Sequence, residues 1–201
     1  MTARRNFLKL TAATGLMAAT PAMAAVVTPK ATEGPYYPKP GMRFDDIDND
    51  LVKIASKVIE AGGEVIRLTG QVMTKDGTTI EGARVEIWQT DANGRYLHTG
   101  ERSAQPRDAA FQGFGHDITG PDGRYSFRTI KPVAYPGRTP HIHVKAFVGR
   151  TELTTQFYLD DDAQNGADRI YSRMTPAERE AVTMRFSVVD GLPQATVDIV
   201  L

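Results

Sequence analysis

Two of the chain's four histidines, His141 and His143, occupy alternate positions in "YPGRTPHIHV", residues 135–144. In an extended strand, side chains two apart share a face, so the imidazoles project together while Ile142 and Val144 turn the other way into apolar packing. Imidazoles so placed can share one metal ion. Taken alone, such a pair binds metal less often than not, and surface or hydrogen-bonded sheet histidines are the plain alternative. Oxygen donors supply the missing support. Tyr135 lies in a Pro- and Gly-containing turn just upstream, and Tyr96 follows "DANGR" at the end of another strand-like run. A free phenol has a pKa of about 10 and is a poor ligand. A hard, highly charged cation favours the phenolate, so two phenolates with two imidazoles suit ferric iron, whereas zinc more usually takes cysteine, histidine or carboxylate.

These residues need a scaffold, and the sequence from Val65 onward supplies one. Short runs of β-branched and aromatic residues, "VIRLTGQV", "ARVEIWQ", "RYSFRTI", "HIHVKAFV" and "TELTTQFYL", are divided by "KDG", "DANG", "TGPDG" and "GR". The tail "ATVDIVL" alternates in the same way. Repeated strands with such turns predict an all-β fold, an antiparallel β-sandwich with long loops. One short helix is expected over 175–182, where Thr175 is the N-cap, Pro176 opens the helix and Glu178 completes a capping box. Residues 25–64 are rich in Pro, Gly and Asp and read as an extended segment wrapping over a surface, part of one domain spanning 25–201.

The first 24 residues read as a leader: "ARRNFLKL" is a basic start, "TAATGLMAAT" a mildly apolar centre and "AMA" a cleavage site. Arg4 and Arg5 before "NFLK" resemble the twin-arginine export signal, with Ala3 where Ser or Thr is usual. The expectation is a soluble periplasmic or secreted protein exported folded, with no membrane anchor. Lys plus Arg and Asp plus Glu both number 24, which gives no reason to propose a nucleic-acid partner. Cysteine is absent, so an exported chain must rely on its core or a bound ligand rather than disulfides.

"GPYY", "GARVEIWQTDANGRYLH", "FQGFGHDITGPDGRYSFRTIKP", "PHIHV" and "TTQFYL" occur in an order that strongly resembles the intradiol ring-cleavage dioxygenases, in particular the protocatechuate 3,4-dioxygenase branch. The resemblance runs from about Thr32 to Asp160. It implies that Tyr96, Tyr135, His141 and His143 hold one Fe(III), which binds a catechol-type diol and reacts it with O2 to a muconate-type dicarboxylate. It further implies that Tyr135 takes up a substrate proton, that Arg138 stabilises negative charge on the ring, and that Gln156 stands beside that arginine. The interval from Tyr135 to His141 is shorter than in better-known relatives, which leaves the substrate's size and identity open. Whether the chain forms an oligomer, or needs a related second chain, is also open.

The remaining aromatic and histidine residues carry plainer expectations. Trp88 is read as a packing residue, as are Tyr125 and Tyr158. Tyr36 and Tyr37 either line a substrate mouth or cover the core. His98 and His116 lack paired spacing and are read as solvated or hydrogen-bonded. A rival reading keeps the fold and discards the chemistry: "GQVMTKDGTTIEGARVEIW" also resembles transthyretin-like and carboxypeptidase-regulatory-like binding modules. Such modules have no need of the four donors together. The same fold with copper or zinc is a third reading.

Overall fold

The computed structural model describes residues 25–55 and 57–201, so the expected leader over 1–24 lies outside the described residues. Ten strands follow in chain order: β1 (Val65–Met73), β2 (Arg84–Trp88), β3 (Phe114–Ile118), β4 (Arg124–Ile130), β5 (His141–Val148), β6 (Thr151–Leu159), β7 (Thr183–Met184), β8 (Phe186–Val189), β9 (Leu192–Thr196) and β10 (Ile199–Val200). β1 alternates half-buried and buried positions throughout, the signature of one face on a core. It pairs antiparallel with β4 on one edge and parallel with β9 and β10 on the other, and β8 extends the sheet beyond β9. The second sheet has the order β3-β2-β5-β6-β7.

Ile66, Leu68, Phe127 and Ile130 of the first sheet pack with Val85, Ile87, Ile142, Val144 and Phe157 of the second in one contiguous cluster. The expected β-sandwich is therefore present. Its long ladders are antiparallel, while β1–β9, β1–β10 and β6–β7 run parallel because segments after the helix return alongside strands laid down earlier. β8 and β9 form a hairpin that the strand reading overlooked, closed by Asp190 and Gly191 with φ of 50° and 80°, the two positive values a two-residue turn requires. The helix α1 (Pro176–Ala181) is where the sequence places it, and Thr175 and Glu178 close the capping box reciprocally.

Residues 25–55 cross both sheets. Thr28 exchanges hydrogen bonds with Val200, Ala31 N–H donates to Thr154 O, and Thr155 Oγ1 donates to Pro29 O. Further along, Leu51 and Val52 are fully buried, and Leu51 and Arg128 are joined by their main chains. This covering explains why the first six residues of β5 are buried on both faces. Ile142, Val144 and Ala146 enter the core between the sheets, and His141, His143 and Lys145 face outward beneath the covering segment and the connection between β2 and β3.

The tail expected as one alternating strand is split at Val197–Asp198, although β9 and β10 keep the same register on β1. Two side chains cause the split: Asp198 Oδ1 accepts Gln71 N–H at 2.9 Å, and Tyr125 Oη donates to Val197 O at 2.5 Å. Gly70 is what lets that carbonyl approach, since a Cβ there would lie 1.9 Å from Val197 O. Gly70→Ala is therefore expected to lower stability by about 2 kcal/mol or more, as overpacking against backbone does. Gly166→Ala, with nothing within 4 Å of its Cβ, is expected to change stability by less than about 0.5 kcal/mol. Urea denaturation of the two variants checks both.

Candidate functional site

The alternation of β5 places His141 and His143 side by side, with Nε2 atoms 3.1 Å apart. Tyr96 Oη completes a triangle, 3.1 Å from His143 Nε2 and 3.4 Å from His141 Nε2. Three atoms at those separations can all touch one ion at about 2.0–2.1 Å, the usual metal–nitrogen distance. The Tyr135 ring stands edge-on to Tyr96, with centroids 5.4 Å apart, and 5.5 Å from the His141 ring. The four residues singled out as donors thus occupy one place. Among the described residues no three His, Cys, Asp or Glu side chains form a metal-holding group, so any metal bound here must draw on the phenols.

Two turns aim the tyrosines. After β2, Asp91 folds the chain back: its Oδ1 accepts Asn93 and Arg95 N–H, its Oδ2 accepts Asp108 N–H, and its own N–H donates to Arg95 O. Gly94 supplies the positive φ of 74° that this reversal needs, and Tyr96 then points at β5. Tyr135 and Arg138 are the first and last residues of a turn closed by Arg138 N–H to Tyr135 O at 2.9 Å. Pro136 and Gly137, with φ of 84°, are the residues a type II turn takes at its two central positions.

Burial decides the protonation of this cluster. His141 and His143 are each 3% exposed and Tyr96 is 1% exposed. Burial, reinforced by the positive charge of Arg138, pushes the His141 pKa down to about 4. Burial and then the charges of His141 and Arg138 hold His143 well below the usual imidazole range. Both rings are neutral at neutral pH, the form that can donate a lone pair to a metal. His141 Nδ1 donates to Thr139 O at 2.7 Å, which turns its lone pair on Nε2 toward the other donors. Burial and the neighbouring Tyr135 hydroxyl raise the Tyr96 phenol well above its usual value, so without a cation it stays protonated. Nδ1 of His143 is buried without a partner among the described residues, and a cation at the centre of the triangle would take a lone pair from all three atoms. The donor set fits a hard metal ion.

Arg138 is fixed at the rim of the cluster. Its Nε donates to Asp168 Oδ2 at 2.8 Å and its Nη2 to Gln156 Oε1 at 2.6 Å, so the expected neighbour, Gln156, is in place. Asp168 was not singled out from the sequence. It is 2% exposed, accepts Thr139, Ile170 and Tyr171 N–H groups as well as Arg138, and so ties the arginine to the histidine strand. Burial opposes its ionisation, but the hydrogen bonds from Arg138 and the backbone outweigh it and hold the carboxyl below its ordinary range. Tyr158, read as a packing residue, also belongs to the site: its ring neighbours His141 and its hydroxyl donates to Gln156 Oε1 at 2.8 Å. The period that pairs His141 with His143 also pairs Gln156 with Tyr158, and that was the available signal. Nothing in the sequence distinguishes Asp168 from the acids around it.

The other aromatic residues divide. Trp88 packs as expected, but its neighbour is a donor: its ring stacks on His143 at 4.7 Å and 12°, directly across from it in the β2–β5 register. Tyr36 stacks on Tyr96 at 5.1 Å, and Tyr37 meets the Trp88 edge at 4.9 Å, so both lie against the cluster. Tyr125 is a core residue, and the His98 ring accepts Gly100 N–H and meets the Tyr36 ring edge-on at 5.7 Å. His116 is half-exposed, with its Nδ1 buried and without a partner among the described residues.

Known proteins share this arrangement of strands and sequence. A family model described as "Dioxygenase" matches residues 32–201. The chain is 38% identical over 151 residues to the protocatechuate 3,4-dioxygenase beta chain of Burkholderia cepacia, covering 71% of this chain and 64% of that one, just under two thirds of the relative's length. Identity to the protocatechuate 3,4-dioxygenase alpha chain of Pseudomonas putida is 32% over 183 residues, covering 82% and 86%. Among solved structures, the dioxygenase domain of a dioxygenase carbohydrate-binding protein fusion from the cellulolytic bacterium Streptomyces sp. SirexAA-E superposes with a TM-score of 0.68 at 34% identity, over 88% of this chain and 98% of that one. A match across nearly all described residues, on a sandwich whose outer face gathers two histidines and two tyrosines, means that this chain belongs to the intradiol dioxygenase family.

Proposed function

We propose that the chain is an Fe(III)-dependent intradiol dioxygenase that opens the ring of a catechol-type diol with O2 to a muconate-type dicarboxylate, with Tyr96, Tyr135, His141 and His143 as the metal donors. The observation that carries this reading is the triangle of Tyr96 Oη, His141 Nε2 and His143 Nε2 at 3.1–3.4 Å, closed off from water. Ferric iron held there would act as a Lewis acid that stabilises the catecholate form of the substrate and opens it to O2.

The chain's own residues would do the rest. His141 and His143 present neutral nitrogens that need no deprotonation before binding. Tyr96 offers a buried oxygen held at fixed distance by its turn. Tyr135, half-buried on a short turn rather than a strand, would take up a proton from the incoming diol. Arg138 sets a positive charge beside the ring that gains negative charge. Because Asp168 and Gln156 already hold it, that charge needs no reorganisation when the substrate arrives. Tyr36 and Gly34 cover the cluster from the N-terminal side, and a Cβ at Gly34 would stand only 3.6 Å from His143 Cε1. A binding module of the same fold has no use for this convergence. Export by the twin-arginine route, read from Arg4 and Arg5, is part of the same proposal, as is assembly into an oligomer, which the relatives' alpha and beta chains support.

Phenolate bound to ferric iron absorbs visible light, so the iron-loaded protein should be red to burgundy and change hue on adding catechol. Tyr96→Phe and His143→Ala are each expected to abolish or strongly shift that band, with iron content measured in parallel; an unchanged spectrum in both removes the donor assignment. Oxygen uptake is expected with at least one of catechol, protocatechuate, hydroxyquinol or a substituted catechol. Asp168→Asn loosens Arg138 while removing none of the four donor side chains and is expected to lower kcat/KM by about 10–100-fold, the usual effect of losing an outer-sphere partner, while the colour persists.

A further inference from the structure

The outer face that carries the histidines also carries two buried charges. Lys145 lies two residues beyond His143 and is 6% exposed, and Glu86 stands directly across from it on β2 at 4%. Burying either charge is costly unless it is paired and hydrogen-bonded. Both find partners in the covering segment. The Lys145 ammonium is ion-paired with Glu33 and, at 3.0 Å, with Glu152, and it stands 4.6 Å from the centre of the Tyr37 ring. Glu86 accepts a 2.6 Å hydrogen bond from Tyr37 Oη and is paired with Arg84 at 2.8 Å.

These ties matter because residues 32–38 join no strand: among the described residues they make no main-chain to main-chain hydrogen bond. Their position is set by side chains, with Gln156 Nε2 to Thr32 O at 2.9 Å as a further tie. Between the Glu33 and Tyr37 anchors lie Gly34, against His143, and Tyr36, stacked on Tyr96. Tyr37 covers the edge of Trp88, which is itself stacked on His143.

We propose that Lys145 and Glu86 are positioning residues: acting through Glu33 and Tyr37, they fix residues 33–37 as a wall across the donor cluster and so set the opening through which an aromatic diol enters. The consequence for substrate rests on the proposed function, whereas the placement of the wall does not. Buried charges of this kind contribute position rather than net stability.

Trp88 is the chain's one tryptophan and reports directly on the wall. Lys145→Met keeps the stem and removes the ammonium, Glu33→Gln removes the partner's charge, and Lys145→Arg keeps the positive charge. In metal-free full-length protein, acrylamide quenching of Trp88 fluorescence should rise at least about twofold in Lys145→Met and Glu33→Gln, as local opening would produce, and stay near the parent value in Lys145→Arg. In the iron-loaded protein, KM for catechol should rise roughly tenfold in the first two variants with kcat within about twofold, matching the loss of one charge-assisted hydrogen bond. Should Lys145→Met fail to fold by far-UV circular dichroism, Glu33→Gln carries the test, since the Glu33 side chain is 42% exposed. Unchanged quenching in the folded variants overturns the proposal, as does an unchanged KM in active enzyme. If no diol is turned over at all, the quenching measurement still decides the wall, and the failure belongs to the functional reading alone.

Discussion

Three lone-pair-bearing atoms, Tyr96 Oη, His141 Nε2 and His143 Nε2, face one another at 3.1–3.4 Å where water does not reach. Bringing three side chains from separate segments to these distances costs conformational entropy, and a buried phenol resists ionisation. The surrounding fold has to impose the arrangement. β5 does so by being buried on both faces, its inner side anchored by Ile142, Val144 and Ala146 and its outer side roofed by residues 25–55. Packing free energy from the sandwich thereby holds two imidazoles and a phenol together in a fixed cluster.

The polar groups around the cluster form a hierarchy of supports. Asp168 gathers Arg138, the Thr139 amide and the start of the turn at Tyr171, so one carboxylate couples the arginine's position to the backbone just before His141. Thr139 in turn accepts the His141 Nδ1 proton through its carbonyl. A displacement at any of these would be felt at the His141 Nε2 that faces Tyr96 and His143.

The sequence made the side-by-side histidines legible for a simple reason: the strand period is two, so "HIHV" declares its face without reference to anything distant. Turn chemistry was equally local, in "DANG" before Tyr96, "YPGR" around Tyr135 and the Thr175–Glu178 capping box. What escaped notice depends on partners far along the chain. Lys145 meets Glu33 112 residues away, Asp168 meets Arg138 across 30, and the break between β9 and β10 arises from Asp198 standing in for a main-chain acceptor of Gln71. Tyr158 lay within reach of the same alternation that exposed the histidines, but an aromatic residue in a strand fits a core so readily that its hydroxyl was discounted. β7 and β8 were too short to stand out from loop sequence.

The lacing of Thr28 to Val200 has a consequence for biogenesis. A polypeptide emerges from the ribosome starting at its amino end, yet Thr28 can settle only after Val200 has appeared, because each bonds to the other's backbone. The leading edge of the roof over the histidines is therefore tied down only after the residues of every strand of both sheets have been made.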